Sequence, residues 1–413
     1  MKTPRVVIVG GGFGGLNAAK ALESAPVEVV LIDRRNHHTF QPLLYQVATA
    51  GLSAIDIAEP IRRVLRKQHN ATVLMGEVTG IDLAGRIVNV AGQNGLPFDF
   101  LILATGVRDG YFGHDQWAAH APGLKSVDDA LAVRTKLLRA FEQAEVESDQ
   151  RRRSALLTFV IIGGGPTGAE LAGAIAEISR HTLLGEFRRI DPRLARVLLV
   201  EGADRILSSY RPALSRKART QLERLGVEVL TGSRVTAVDE QGVSIGDRRI
   251  EAATVLWAAG VEASPLGADL GVPVDEMGRV FVTDDLSIPG HPHVFVIGDL
   301  VRVEQDGRPI AGVAPAAIQM GRHAAGAIKA RLDGRPAPAF RYIDRGTMAT
   351  LGRRAAIAEI HGFSLSGYPA WLAWLFIHLV FLIGFRNRAV VLFEWAKSYL
   401  TYGRSARLIV GEE

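Results

Sequence analysis

Cysteine is absent from this chain of 413 residues. Its absence excludes every mechanism that needs a thiol, including disulfide reduction and sulfide oxidation through a cysteine pair. The N-terminus enters an apolar run directly, without a basic stretch followed by a separate apolar one, so we expect no signal peptide. The length predicts two or three domains. The chain is nevertheless apolar, with 48% hydrophobic residues and a mean hydropathy of +0.15.

Charge is unevenly distributed along the chain. The formal net charge is +5, and the segment from Arg341 to Glu413 carries nine basic against five acidic residues. Three of the five tryptophans lie in the same segment: Trp371, Trp374 and Trp395. A basic, tryptophan-rich end favours a membrane surface as the partner and argues against nucleic acid.

Two glycine-rich turns are the most informative pattern. The strand-like run Arg5–Val9 leads into Gly10-x-Gly12-x-x-Gly15, and Phe159–Ile162 leads into Gly163-x-Gly165-x-x-Gly168. Such a turn brings backbone N–H groups and a helix N-terminus onto a pyrophosphate. Two copies, each followed by an alanine-rich helix, predict two bound dinucleotides and electron transfer between them. The expected fold class is α/β, with two Rossmann-like dinucleotide-binding domains and a C-terminal membrane-associating helical region.

An acidic residue follows the next strand in each unit. Asp33 lies 18 residues beyond Gly15, where a carboxylate can accept hydrogen bonds from both hydroxyls of an adenosine ribose. Glu201 occupies the corresponding place in the second unit and would repel a 2′-phosphate, which favours NADH over NADPH. Arg205 lies close enough in sequence to be a candidate counter-charge.

Two further acidic residues are candidates. Glu170 lies just inside the helix that follows the second turn, and two interpretations stay open. Its carboxylate either complements the helix dipole or faces the junction of nicotinamide and flavin. Asp299 ends the apolar strand Val294–Ile297 after Gly298, where it could bind the ribityl chain or pyrophosphate of a flavin.

The remaining pattern concerns boundaries and the C-terminus. The polar stretch 147–153 is interpreted as a linker, and 336–338 as a boundary. Pro369–Phe385 is apolar but marginal in length for a bilayer-spanning helix. The following segment is amphipathic at helical spacing. These features favour membrane-surface binding, while a buried helix pair and a homodimer interface stay open as alternatives.

Three stretches give the chain a family resemblance. Asn36–Ala48, Met348–Arg353 and Trp395–Ile409, together with Ala104-Thr105-Gly106 and Gly298-Asp299, resemble type II NADH:quinone oxidoreductases. These are single-subunit, non-proton-pumping flavoproteins with two dinucleotide-binding domains. The resemblance implies that FAD is bound by a discontinuous domain, 1–115 and 262–340. It implies an NADH-binding domain at 116–261 and a membrane-anchoring region at 341–413.

The resemblance also implies roles for individual residues, with FAD and NADH as cofactors. FAD is expected to contact Gly10, Gly12, Phe13, Gly14, Gly15, Asp33, Arg34, Ala104, Thr105, Gly106, Gly298 and Asp299. NADH is expected to contact Gly163, Gly165, Pro166, Thr167, Gly168, Glu170, Glu201, Ala259 and Gly260. Glu170 and Gln319 are the candidate catalytic residues.

The implied reaction is hydride transfer from NADH to flavin N5, followed by two-electron reduction of a membrane quinone, ubiquinone or menaquinone. The expected location is the cytoplasmic face of the cell membrane, where the protein is peripheral. One motif departs from the family: Pro315 replaces the first glutamine of Ala-Gln-x-Ala-x-Gln, and Gln319 keeps the second. Two alternatives stay open: a soluble flavin reductase for a ferredoxin or rubredoxin, and a non-catalytic NADH-sensing flavoprotein.

Overall fold

Apolar, β-branched runs form the buried strands, and glycine turns connect them to helices. The computed structural model describes residues 3–382, 385–401 and 406–409. Its helices are α1 Phe13–Ala21, α2 Leu44–Ala48, α3 Ala54–Ile57, α4 Ile61–Val64, α5 Val127–Val146, α6 Gln150–Leu156, α7 Pro166–Glu177, α8 Pro212–Arg224, α9 Pro265–Ala268, α10 Ala314–Leu332, α11 Tyr368–Phe381 and α12 Phe385–Thr401.

The strands are mostly short and fall into several sheets. They are β1 Arg5–Val9, β2 Glu28–Asp33, β3 His37–Thr39, β4 Ala58–Pro60, β5 Ala71–Met75, β6 Val78–Asp82, β7 Ile87–Val90, β8 Leu96–Pro97, β9 Phe100–Leu103, β10 Val107–Asp109, β11 Thr158–Ile162, β12 Arg196–Val200, β13 Val227–Leu230, β14 Val235–Asp239, β15 Gly242–Ile245, β16 Arg248–Glu251, β17 Thr254–Trp257, β18 Val261–Ala263, β19 Val280–Phe281, β20 Ser287–Ile288, β21 His291–Val296, β22 Val301–Arg302, β23 Glu304–Gln305, β24 Arg308–Pro309, β25 Thr347–Gly352, β26 Ala355–Ile360 and β27 Phe363–Ser366.

Contacts divide the chain into two compact units. The first comprises Met1–Thr39, Glu59–Arg108 and Val261–Arg345. Its main sheet has the order β20-β21-β9-β1-β2-β5, and every pair except β20–β21 is parallel. The central strands are continuous apolar runs because parallel sheets of this kind are covered on both faces. The glycine turn after β1 leads directly into α1.

The second unit comprises Phe40–Ala58, Asp109–Gly260 and Gly346–Glu413. Its main sheet has the order β13-β12-β11-β17, and all its pairs are parallel. The antiparallel sheet β14-β15-β16 shares one buried apolar cluster with this sheet, built around Trp117 and Trp257. The second glycine turn follows β11 and leads into α7. The domain boundaries that the sequence predicts, 1–115 with 262–340, 116–261 and 341–413, remain predictions.

The C-terminal segment contains a β-sheet as well as helices. It begins with the antiparallel sheet β25-β26-β27 and continues into α11 and α12. Ala356, Ala358 and Ala370 are buried together where α11 packs on this sheet. The predicted helical character of the tail is therefore confirmed for 368–381 and 385–401, and a sheet precedes these helices.

One local expectation was wrong. The polar stretch 147–153 was interpreted as a linker, but it lies inside the second compact unit, and α6 begins within it at Gln150. The side chain of Asp149 accepts a hydrogen bond from the backbone N–H of Arg152 at 2.8 Å and so caps the helix. A capping aspartate satisfies one of the free N–H groups at a helix start, and this outweighs the polar composition.

Two glycines allow α1 and α10 to pack closely. A Cβ placed on Gly321 of α10 would lie 2.2 Å from the carbonyl oxygen of Gly14 in α1. Because that neighbour is backbone, it cannot move aside cheaply. Gly326 lies on the same helix with open space around its Cβ position.

This contrast gives a matched test of the packing. We expect Gly321→Ala to destabilise the protein by about 1–3 kcal/mol, because the added methyl group overpacks the helix contact. Gly326→Ala should instead stabilise by roughly 0.5–1 kcal/mol, from helix propensity alone. Thermal unfolding of the two variants measures both changes, and a raised melting temperature in each would contradict the packing argument.

Candidate functional site

The first glycine turn is sterically restricted to glycine at two of its positions. Gly10 has a φ of +104°, and a Cβ there would lie 2.4 Å from the carbonyl oxygen of Ala104. A Cβ on Gly15 would lie 1.9 Å from the carbonyl oxygen of Gly10. The turn is thus pressed between its own helix and the end of β9, where the Ala104-Thr105-Gly106 motif begins.

Asp33 ties the end of β2 to this turn. Its Oδ2 accepts a hydrogen bond from the Gly11 N–H at 2.6 Å, and its Oδ1 accepts one from the Arg35 N–H at 2.8 Å. Each carboxylate oxygen can accept about two hydrogen bonds. The carboxylate is therefore held at the turn with acceptor capacity left for a ligand.

His38, within the stretch Asn36–Ala48, supports the same turn, a role that no sequence pattern predicts. The residue is buried, and its Nδ1 lies 2.9 Å from the carbonyl oxygen of Gly11. Because a carbonyl only accepts, Nδ1 carries the proton in this contact. Burial lowers the pKa of His38 below its ordinary value and keeps the ring neutral.

The second glycine turn repeats these relations. Gly163 has a φ of +110°, and its Cβ would lie 2.5 Å from the carbonyl oxygen of Ala258 at the end of β17. A Cβ on Gly168 would lie 1.8 Å from the carbonyl oxygen of Gly163. The Cα of Ala259 is also 2.5 Å from the Cβ position of Gly163, so Ala259 lies beside the turn, and Gly260 follows it in the chain.

Glu201 contacts the second turn in the same way as Asp33 contacts the first. Its Oε2 accepts the Gly164 N–H at 2.6 Å, and its Oε1 accepts the Ala203 N–H at 2.7 Å. Arg205 is directed elsewhere, since its guanidinium donates to the carbonyl oxygens of Tyr210 at 3.1 Å and Ser208 at 2.9 Å. Both of these contacts hold Arg205 to its own loop.

Both helix starts fit a phosphate-bearing cofactor. Gly12 and Gly165 are the N-cap residues of α1 and α7; neither helix start receives a side-chain cap, and a Cβ at either glycine would meet open space. The hydroxyl of Thr105 is buried without a hydrogen-bond partner in the part of the chain that is described. Free N–H groups and a buried free hydroxyl suit the acceptor oxygens of a dinucleotide.

The other predicted contact residues lie around these turns or close to them in sequence. Gly298 has a φ of +75°, and its N–H faces the sulfur of Met320 at 3.3 Å. Asp299 is half-buried, and Arg34 is exposed. Phe13 and Gly14 lie in the first turn of α1, Gly106 follows β9, and Pro166 and Thr167 open α7.

Glu170 lies beyond the first turn of α7, so the helix-dipole interpretation loses support. Its Oε1 is 3.4 Å from the backbone N–H of Thr350 in β25. Protein atoms surround the carboxyl group closely, although the residue keeps some accessible surface. This desolvation raises the pKa of Glu170 to about 8, against a smaller lowering by the Thr350 contact. Glu170 can therefore hold a proton near neutral pH.

Gln319 lies on α10 with its side-chain amide already engaged. Its Nε2 donates to the carbonyl oxygen of Ile343, and its Oε1 accepts the Ile343 N–H, both at 2.9 Å. A primary amide has two N–H groups and two acceptor lone pairs. One of each is left on Gln319 for a ligand. Pro315 lies in the first turn of the same helix, where proline is well tolerated.

The last two described helices carry a large apolar surface. Exposed side chains on α11 and α12 are Leu372, Phe376, Val380, Phe381, Leu392 and Phe393. Exposure of this many large apolar side chains on two helices is typical of an interaction surface. Within the described residues, no helix has the length and apolar character needed to cross a bilayer.

The fold and the paired turns define a flavoprotein class with two dinucleotide sites. The family model for pyridine nucleotide-disulphide oxidoreductases matches residues 4–321, and that for the NDH2 C-terminal domain matches residues 345–405. The type II NADH:quinone oxidoreductases Ndh and NdhA of Mycobacterium tuberculosis are 49% and 47% identical to this chain. Each alignment covers 99% of this chain, and 91% and 90% of those proteins.

A solved structure agrees with the fold. NDH2 from Plasmodium falciparum, in complex with NADH, superimposes with a TM-score of 0.90 at 19% identity, over 99% of this chain and all of that one. This chain belongs to the type II NADH:quinone oxidoreductases. It is a flavin-dependent enzyme that uses FAD, oxidises NADH and reduces quinone. The predictions of family, fold class, activity and cofactors are confirmed.

The buried carboxyl of Glu170 predicts a pH-dependent stability. In the unfolded chain it ionises near its ordinary value of 4.5, and in the folded protein near 8. Between these values the folded state binds the extra proton, so its contribution to stability falls as pH rises. The slope is at most about 1.4 kcal/mol per pH unit, reduced by partial exposure. Glu170→Gln should lose this slope in denaturant unfolding between pH 5 and 8. Glu240→Gln, at an exposed glutamate, is the control, and equal slopes in all three proteins would refute the assignment.

Proposed function

We propose that the first turn binds FAD and the second turn binds NADH. The observation that supports two dinucleotide sites is the repeated carboxylate, Asp33 and Glu201, each accepting the N–H of the second residue of its turn at 2.6 Å. The order of the two cofactors follows from the family resemblance. The lone pairs left on each carboxylate would accept the two hydroxyls of an adenosine ribose. Bound FAD would supply the redox chemistry, taking a hydride from NADH and passing electrons to quinone.

The FAD-binding domain comprises 1–115 and 262–340 in this proposal, and the NADH-binding domain comprises 116–261. The presence of the two turns in separate compact units supports this assignment. The N–H groups at the start of α1 would hold the FAD pyrophosphate, and the free hydroxyl of Thr105 would donate to the cofactor. Asp299 is proposed to contact the ribityl chain or pyrophosphate.

Glu201 would make NADH the preferred nucleotide, because its charge opposes a 2′-phosphate. The contacts of Arg205 to its own loop support this preference, since its guanidinium is committed to Tyr210 and Ser208. Glu170 would hold or release a proton on its carboxylate during turnover, because burial brings its pKa to about 8. An acid or base of that pKa is suited to proton transfer at neutral pH.

Gln319 would orient the quinone. The two bonds to Ile343 fix which end of the amide carries the N–H groups. The second N–H of Nε2 would then donate to a quinone carbonyl. With Pro315 in place of the other glutamine of the motif, Gln319 carries more of this role.

The C-terminal region, 341–413, would hold the enzyme peripherally on the cytoplasmic face of the cell membrane. The exposed apolar side chains of α11 and α12 support a lipid surface as the partner. The indole N–H of Trp395 donates to Oε1 of Gln46 at 2.7 Å, and Gln46 in turn donates to the hydroxyl of Tyr45 at 2.8 Å. These bonds fasten α12 to α2.

Anaerobic absorbance spectroscopy tests the assignment of the two half-reactions. In the wild type, NADH should bleach the flavin band, and a soluble quinone should restore it. Glu201→Ala should weaken only the NADH step and narrow the preference over NADPH. Gln319→Leu should slow only reoxidation by quinone, by roughly tenfold for one lost oriented hydrogen bond. Equal losses in both steps for either variant would count against its assignment.

Two exposed phenylalanines test the membrane surface. A double change, Phe376→Ser with Phe393→Ser, should reduce sedimentation with anionic lipid vesicles by more than tenfold. Each phenylalanine side chain that becomes buried in lipid contributes roughly 2 kcal/mol to the binding free energy. Phe281→Ser, at an exposed phenylalanine of the first unit, is the control and should sediment like the wild type. Undiminished binding of the double variant would place the lipid contact elsewhere.

A further inference from the structure

A segment without regular structure runs back along α10. We call residues 336–345 the strap. Near its start, the carbonyl oxygen of Pro338 accepts a hydrogen bond from the imidazole of His323 of α10, whose ring lies 5.2 Å from that of Phe340. The N–H of Phe340 donates to the carbonyl oxygen of Asp284 at 2.7 Å. The strap continues to Ile343 beside Gln319, one helical turn nearer the start of α10.

Two glutamine side chains hold consecutive residues of the strap. Oε1 of Gln305 accepts the Tyr342 N–H at 2.8 Å, and its Nε2 donates to the Tyr342 carbonyl oxygen at 3.1 Å. Gln319 makes the same pair of bonds with Ile343, both at 2.9 Å. The N–H and C=O of Tyr342 are therefore both bonded to the Gln305 amide, and those of Ile343 are both bonded to the Gln319 amide.

The two pairs of bonds have the pattern expected of an extended chain. In such a chain the N–H and C=O of one residue point to one edge, and those of the next residue point to the opposite edge. Gln305, at the end of β23, pairs with Tyr342, and Gln319, on α10, pairs with Ile343. An extended strap would therefore be held along both edges by the two amides.

We propose that Gln305 and Gln319 form a clamp that fixes the strap along α10, and that Gln305 is a positioning residue for the quinone step. The strap contacts both amides, so loss of the Gln305 pair loosens Tyr342 and, through the chain, Ile343. The amide of Gln319 then loses the partner that sets its orientation. The clamp rests on the observed bonds alone, whereas its effect on quinone rests on the role proposed above for Gln319.

Gln305 can be changed without touching α10. Gln305→Met keeps the side-chain length and removes both bonds. Gln305→Glu keeps an acceptor for the Tyr342 N–H but sets a carboxylate against the Tyr342 carbonyl oxygen, because a glutamate has no N–H to donate. Gln93→Met, at an exposed glutamine of the first unit, is the matched control.

Limited trypsin digestion of the FAD-loaded protein measures the strap directly. Arg341 and Arg345 are exposed and flank the clamped pair, so cleavage after them requires local opening of the strap. Both Gln305 variants should be cleaved there roughly tenfold faster than the wild type, because Gln305→Met loses both hydrogen bonds and Gln305→Glu loses one and gains a repulsive contact. Hydrogen exchange at the amides of Tyr342 and Ile343 should accelerate in parallel, while Gln93→Met should match the wild type.

Flavin reoxidation by a soluble quinone separates the two proposals. If both are right, Gln305→Met slows reoxidation by quinone and leaves flavin reduction by NADH unchanged. Faster cleavage with unchanged reoxidation would uphold the clamp and overturn the positioning role of Gln305, whereas normal reoxidation in Gln319→Leu would overturn the quinone role of Gln319 itself. Unchanged cleavage and exchange in both Gln305 variants would overturn the clamp itself.

Discussion

The hydrogen bond between an acidic side chain and the second residue of a glycine turn is the contact on which both sites depend. In each unit it joins the end of one parallel strand to the turn after its neighbour, at 2.6 Å. The carboxylate thereby fixes the direction in which the remaining N–H groups of the helix start point. It also brings a negative charge beside a helix N-terminus, where charge is favourable. The carboxylate that holds the turn in place also keeps lone pairs that could accept the hydroxyls of a ribose. In the proposed sites, Asp33 and Glu201 would therefore each serve both folding and binding.

The absence of cysteine defines the division of labour in the reaction. The family model that matches residues 4–321 is described by its disulphide chemistry, yet this chain has no thiol to take part in it. Electron transfer through a cysteine thiol is therefore excluded. The side chains bind, orient and handle protons. Glu170, with a pKa raised to about 8 by burial, is suited to handling protons. Gln319, whose amide is fixed by Ile343, is suited to orienting a substrate.

The sequence was sufficient where a local pattern determines the structure. The two strand–turn–helix units follow from apolar runs and glycine spacing, and Asp33 and Glu201 follow from their distance along the chain. The polar stretch at 147–153 misled because one cap, at Asp149, outweighs composition. The excursion Phe40–Ala58 into the second unit and the place of His38 under the first turn depend on contacts distant in sequence. No periodicity or motif encodes such contacts.

Gln319 illustrates how far a motif can lead. Its spacing from Gly298-Asp299 identifies a polar group at the start of α10, but its partner lies 24 residues further along and is backbone. A motif describes the side chain and is silent about such a partner. An amide that is free to rotate would present either its oxygen or its N–H groups to a quinone carbonyl, and only the N–H groups bind it. By pairing with the N–H and C=O of Ile343, the amide loses that freedom before a substrate binds. The conformational entropy of fixing the amide is therefore lost during folding and not during binding. In the proposed quinone site, the strap would therefore be the part of the fold that turns a flexible side chain into a directional donor.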